Sequence, residues 1–265
     1  MSNLLPDRWC SYDFCCAFTP GSHNAEYCPE HKCKRKVENA KKRLTTDFPE
    51  GATAEVLWKL QESRKKGRLE VAVEKNRWLL ENSKIAFFDL ETSDLNASIG
   101  MILCGSIKER GGATVTFSAA KDSDGILVDK NICVQLRDML AGYDYVTTYY
   151  GSRFDIPYIN TRLIMQGERP INELRHIDLY YRAKFNLKLH SNRLQVVGET
   201  LFGESQKTRV LGVVWQRAAQ GDMEALKYIQ EHCERDVEEL EEVFDTLKGF
   251  INLSATRWRK YGASY

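Results

Sequence analysis

The chain has 265 residues, 43% of them hydrophobic, and a formal net charge of +1. That is enough for one substantial core and a small appendage, since domains commonly hold roughly 100–200 residues. Its longest apolar stretches fall far short of the roughly 20 residues a membrane span needs, and the start Met1-Ser2-Asn3-Leu4-Leu5-Pro6-Asp7-Arg8 lacks the apolar core of a secretion signal. Both features argue against membrane-spanning and secreted classes, and the expected setting is cytoplasmic.

Eight cysteines are unevenly placed: Cys10, Cys15, Cys16, Cys28 and Cys33 crowd the beginning, while Cys104, Cys133 and Cys233 are scattered in apolar or helical surroundings. In an intracellular chain such clustering favours metal over disulfides. Residues 1–33 lack lasting periodicity, as expected of a module organised by a metal rather than by a core. Cys10-x4-Cys15 and Cys28-x2-His31 offer four N/S ligands suited to tetrahedral Zn²⁺, with Cys16, Cys33 and His23 as substitutes. Filled by four protein ligands, that zinc is structural, not catalytic. The segment resembles a small zinc knuckle.

Residues 34–83 read as a basic helical linker, broken at Pro49-Glu50-Gly51, with a later helix carrying Val71, Val73, Trp78 and Leu79. Up to Lys84 the chain holds 16 Lys+Arg against 12 Asp+Glu, net +4; the remainder is net −3. A basic arm beside an acidic body suits a nucleic-acid enzyme, because cations hold phosphates while carboxylates hold metals; a solvated basic helix fits the same charge.

From Lys84 the pattern changes. Ile85 to Leu90, Ile99 to Ile107 and Ala113 to Phe117 read as an antiparallel meander with its turn at Gly111-Gly112. A helix over Ile126 to Leu140, a buried strand over Tyr145 to Tyr149 and a helix from Asp155 to Met165 follow, giving an α/β layered domain. The last third reads mainly as helices, one around Arg193 to Leu201 and a long one over Met223 to Leu247. The expected division is a zinc module at 1–33, the linker at 34–83, the main α/β domain at 84–250 and a tail at 251–265.

Acidic side chains carry the functional signal. Asp89 and Glu91 share one face of a strand, since side chains alternate, and can grip one divalent cation. The apolar neighbours Phe87, Phe88 and Leu90 draw that strand into the core, leaving Asp89 in need of a compensating cation or donor. Asp155 before Ile156-Pro157 fits either a metal site or a helix N-cap, and Asp236 fits either a ligand or one of several solvated helix acids. His232, four residues before Asp236, shares its helix face. Asp178 reads as a cap for the segment after it rather than as a ligand.

Phe87-Phe88-Asp89-Leu90-Glu91-Thr92, Gly151-Ser152-Arg153-Phe154-Asp155-Ile156-Pro157-Tyr158 and Cys233-Glu234-Arg235-Asp236-Val237 together resemble, in order and spacing, the three motifs of the DnaQ-like, or DEDD, 3′-5′ exonuclease superfamily. The similarity covers about residues 84–250 and is nearest to family B DNA polymerase proofreading domains and their stand-alone relatives, which His176-Ile177-Asp178-Leu179-Tyr180 also resembles. The resemblance implies a ribonuclease H-like mixed sheet flanked by helices. It also implies two Mg²⁺ or Mn²⁺ ions held by Asp89, Glu91, Asp155 and Asp236, with His232 orienting water. The family places Tyr four residues, or His five, before the last Asp; His232 stands in the Tyr place. Tyr150 replaces the usual Asn and, with Phe154, could stack on an unpaired base. The implied activity is removal of nucleotides from the 3′ end of single-stranded DNA or RNA, in repair, turnover or a virus-encoded role. A catalytically weak nucleic-acid-binding scaffold on the same fold is the alternative. Spacing alone reaches only metal-assisted phosphodiester hydrolysis.

Overall fold

The computed structural model describes residues 8–9, 17–18, 68–203, 211–256 and 258–260. The proposed zinc ligands Cys10, Cys15, Cys28 and His31, and most of the linker, lie outside the described residues. The chain divides into two compact units, Met1–Lys75 and Asn76–Tyr265. In the first, β1 (Arg8–Trp9) pairs antiparallel with β2 (Ala17–Phe18).

Helix α1 (Arg68–Asn82) leads into β3 (Ile85–Thr92), and β4 (Ile102–Glu109) and β5 (Thr114–Ser118) complete an antiparallel meander. The short ladder of β6 (Ala120–Lys121) and β7 (Leu127–Val128) precedes α2 (Lys130–Leu140). Next come β8 (Tyr145–Thr148), α3 (Asp155–Met165), β9 (Glu173–Asp178) and α4 (Leu179–Asn186). Helices α5 (Leu194–Phe202), α6 (Gly212–Ala219) and α7 (Met223–Leu247) follow, and β10 (Trp258–Lys260) closes the series.

One sheet runs in the order β10-β9-β8-β3-β4-β5. Strands β3, β8 and β9 are parallel, and β4, β5 and β10 antiparallel to their neighbours. It is therefore the mixed sheet flanked by helices that was expected, with additions. Strand β9 and helix α6 were not foreseen, and the segment read as a tail supplies β10.

Strand β3 shows why the sheet is covered on both faces. Ile85 and Phe87 join a cluster with Tyr145, Ile177 and the α7 residues Val237, Leu240 and Phe244. The alternate residues Ala86, Phe88 and Leu90 join Ile132 and Leu136 of α2 and Ile156 and Ile159 of α3. A strand buried on both faces reads as a continuous apolar run, and all four residues from Ile85 to Phe88 are fully buried. The Phe87 and Phe244 rings meet edge to face at 5.4 Å, a geometry that adds to area burial. Gly105 sits where α2 crosses the sheet, and a Cβ there would stand 2.7 Å from Leu136 Cδ1 and 2.8 Å from Leu90 Cδ2.

Helix α7 is held at both ends. Asp222 caps it, accepting from the N–H groups of Glu224 (3.0 Å) and Ala225 (3.1 Å), which would otherwise be orphan donors. Farther along, Glu241 pairs with Lys108 at 3.0 Å and Asp245 with Arg110, fixing the helix to the β4–β5 hairpin. The second brace is buried: Asp129, before α2, makes a two-bond ion pair with Arg162 of α3, both contacts 2.8 Å. Asp129 also accepts from the Ile102 N–H (2.9 Å) and Gln166 Nε2 (2.6 Å). One carboxylate thus ties β4, α2 and α3 together.

Candidate active site

In open α/β sheets ligands gather beyond the carboxyl ends of parallel strands. Here β3 ends with Asp89 and Glu91, β8 runs into the turn before Asp155, and β9 ends at Asp178. Asp89 and Glu91 continue the row begun by Ile85 and Phe87, which faces α7. Helix α7 answers from one stripe, where Ile229, His232, Cys233, Asp236 and Glu239 are all buried.

His232 Nε2 lies 3.7 Å from Glu91 Oε1 and 3.8 Å from Asp236 Oδ2. One ligand atom from each of these residues falls within 4.8 Å of the others, a grouping able to hold a cation. The next residue on the helix, Cys233, donates its S–H towards the backbone oxygen (3.5 Å) and carboxylate Oδ2 (3.7 Å) of Asp89. Burial, reinforced by Cys104 and then by Asp89 and Glu91, pushes the Cys233 thiol well up, so it stays protonated and remains a donor.

Asp155 enters differently from a cap. Phe154 occupies the N-cap position of α3 without a side-chain bond, and Asp155 is the first helical residue. Its Oδ1 accepts the Leu90 N–H at 3.1 Å, between the two acids of β3. It is 3% exposed, a burial that for a carboxylate requires donors or a cation. Gly151 makes room for it: a Cβ there would lie 2.8 Å from Asp155 Oδ2 and 2.4 Å from Thr148 Oγ1. Thr148 Oγ1 itself accepts the Gly151 N–H (3.1 Å) and is bonded to His176 Nε2 (2.8 Å).

Asp178 is the clasp of this turn. It caps α4 through the Tyr180 N–H (3.2 Å) and also accepts from the Tyr150 N–H (2.8 Å), the Ser152 N–H (3.1 Å) and the Ser152 hydroxyl. Tyr150 has φ of 66°, alone among the described non-glycine residues in the left-handed region. For a bulky side chain that conformation costs about 1–3 kcal/mol and persists only where the surroundings impose it; the Asp178 bonds do so here. The Tyr150 ring is exposed. Phe154 is half-buried, 5.5 Å from Tyr158 and lining a cavity of about 240 Å³ with Leu95, Ala97 and Pro157.

Two site features escape sequence reasoning. Glu239 lies among the acids of α7 that composition alone reads as solvated but is 1% exposed; its place one turn after Asp236 on the buried stripe is the available signal. The clasp at Asp178 joins residues 26 and 28 positions apart, and no local pattern announces it beyond the cap.

This fold and arrangement agree with the family comparison. The model of the RNase H superfamily matches residues 86–248, more than half of the chain, and the chain belongs to that superfamily. Its fold is one usually found in nucleases, and the acidic and His group suits the divalent metals such folds typically bind. Among solved structures, a family B DNA polymerase from the hyperthermophilic archaeon Pyrobaculum calidifontis is similar, with 16% identity and a TM-score of 0.49. The similarity covers 66% of this chain and 27% of that one, so this chain spans about a quarter of the polymerase's length. A comparison with curated proteins found no match. Among the described residues no helix is long and apolar enough to cross a membrane.

Proposed function

We propose that the unit Asn76–Tyr265 is a metal-dependent 3′-5′ exonuclease acting on single-stranded DNA or RNA. The observation that carries the reading is the meeting of Glu91, His232 and Asp236 within 4.8 Å, with Asp89 and Asp155 tied to the same strand end. The donor set fits hard cations, because Mg²⁺ and Mn²⁺ prefer oxygen ligands. Asp89, Glu91 and Asp236 would hold one ion, and Asp89 with Asp155 would support a second. When bound, such ions supply Lewis-acid stabilisation of the phosphodiester and a more acidic water.

His232 is assigned to the water rather than to the cation. Imidazole titrates near neutrality, and Nε2 between two carboxylates is placed to accept a proton and pass on positive charge that Glu91 and Asp236 stabilise. Cys233 orients Asp89, and Asp178 holds the turn that presents Asp155. The exonuclease polarity comes from the motif resemblance. The same reading keeps a structural Zn²⁺ on Cys10, Cys15, Cys28 and His31, which metal analysis of the purified chain would check.

The test is calorimetric Mn²⁺ titration together with nucleotide release from single-stranded DNA and RNA, for the native chain and Asp89→Ala. Binding and release by the native chain, both lost in the variant and on chelation, are expected. Nucleic acid bound equally by both proteins without release would favour the scaffold alternative.

A further inference from the structure

An aromatic surface runs outward from the Asp155 turn along α4. The rings of Tyr150 and Tyr181 lie 6.3 Å apart and tilted by 34°, and those of Tyr181 and Phe185 lie 6.0 Å apart at 21°, near parallel. Tyr180 braces the row from the side. Its ring is edge-on to Tyr150 at 4.8 Å and 69°, and to Tyr181 at 5.1 Å and 88°. The spacing on α4 explains the line, since Tyr181 and Phe185 are four residues apart and share a helix face.

This surface is poorly explained as core. Phe185 is 75% exposed and Tyr150 44%, whereas the apolar residues of α4 that serve the core, Leu179 and Ala183, are buried. Cations accompany it: Lys184 Nζ stands 5.6 Å from the Tyr180 ring, and the exposed Arg153 has its pKa raised chiefly by the neighbouring Tyr181 hydroxyl. The left-handed backbone of Tyr150 is held by Asp178, and it is from this conformation that the Tyr150 ring joins the row. The row starts five residues before Asp155 on the same turn, so it is continuous with the candidate active site.

We infer that Tyr150, Tyr181 and Phe185, flanked by Arg153 and Lys184, form a stacking platform that holds the unpaired bases of a single strand leading into the carboxylate site. Exposed π faces with interleaved cations are what single-stranded nucleic acid requires, because every base has a face to stack and every linkage a phosphate to neutralise. Stacking engages the face that every base presents, so the platform predicts binding tolerant of sequence. The inference rests on the nuclease reading above and extends it from the reacting end to the strand behind it.

The experiment is fluorescence anisotropy of labelled single-stranded oligonucleotides in chelator, across a salt series, with folding of each variant checked by circular dichroism. Phe185→Ala should weaken binding about five-fold or more and Tyr181→Ala comparably, as loss of one stacked base implies. Phe185→Trp should restore affinity. The aromatic variants should leave the salt slope unchanged, while Arg153→Ala should reduce it by about 0.7, the value for one phosphate contact on a single strand. Native binding that is untouched by Phe185→Ala and Tyr181→Ala overturns the platform and leaves the nuclease reading standing. Absence of any native binding or cleavage overturns both.

Discussion

His232 and Tyr150 show how single residues depart from a pattern without breaking it. His232 sits between Glu91 and Asp236 at 3.7 and 3.8 Å, so removing it deletes a proton acceptor and leaves two carboxylates facing each other. His232→Ala is expected to lower kcat by about 10²–10⁴-fold, measured under saturating substrate and metal. At Tyr150 the backbone is left-handed, a region that Asn tolerates far better than Tyr. Tyr150→Asn should therefore fold at least as stably, by thermal melting, while binding single strands more weakly. A matched fall in both quantities would mean that the ring serves packing alone.

At the scale of elements, the Asp129–Arg162 pair decides where α3, and hence Asp155, stands. Asp129 is 2% exposed and its carboxylate accepts four hydrogen bonds, two from Arg162 and one each from Ile102 and Gln166. Asp129→Ala leaves the part-buried Arg162 guanidinium without its carboxylate and should cost about 3 kcal/mol in denaturant unfolding. Replacing both partners by apolar residues should cost less, because no charge is then left unpaired.

Elements with a strong local signal were legible. Strand β3 is an apolar run ending in acids, and α7 keeps one buried stripe for 25 residues, so its observed bounds are those expected. Strand β9 was not legible. Its buried residues, Leu174 and Ile177, are three apart and interleaved with charge, a helical spacing that pairing with β10 and β8 overrides. The expected strand from Ile99 begins instead at Ile102, because Ile99 and Gly100 turn back onto the Asn96 carbonyl, at 3.0 and 2.8 Å. The helix expected from Ile126 starts at Lys130, because Leu127 and Val128 pair instead with Lys121 and Ala120 in the β6–β7 ladder. In the site, the i,i+2 and i,i+4 pairs could be read locally. The Asp155–Leu90 bond and the Asp178 clasp could not, being products of tertiary packing.

For the whole molecule, burial sets an alkaline limit. Desolvation, with Asp129 as second cause, pushes the Cys133 thiol from 9.0 up to about 12. The folded state therefore favours the protonated form. This contribution is intact below the unfolded value and is lost as pH rises from 9 towards 12. Tyr158, also raised to about 12 by burial, acts in the same direction. Cys133→Ala should accordingly flatten the fall of unfolding free energy from about pH 9 towards 12 without abolishing it, as read by chemical denaturation.

The activity proposed for these acids and His232 is removal of nucleotides from a 3′ end. It is tested most directly by parallel time courses on one single strand labelled at its 5′ end or its 3′ end, with Mg²⁺ or Mn²⁺. The account predicts a ladder that shortens progressively with the 5′ label and immediate release of a mononucleotide with the 3′ label, both absent in Asp89→Ala. Internal fragments from both labels, or shortening that Asp89→Ala leaves intact, would contradict it.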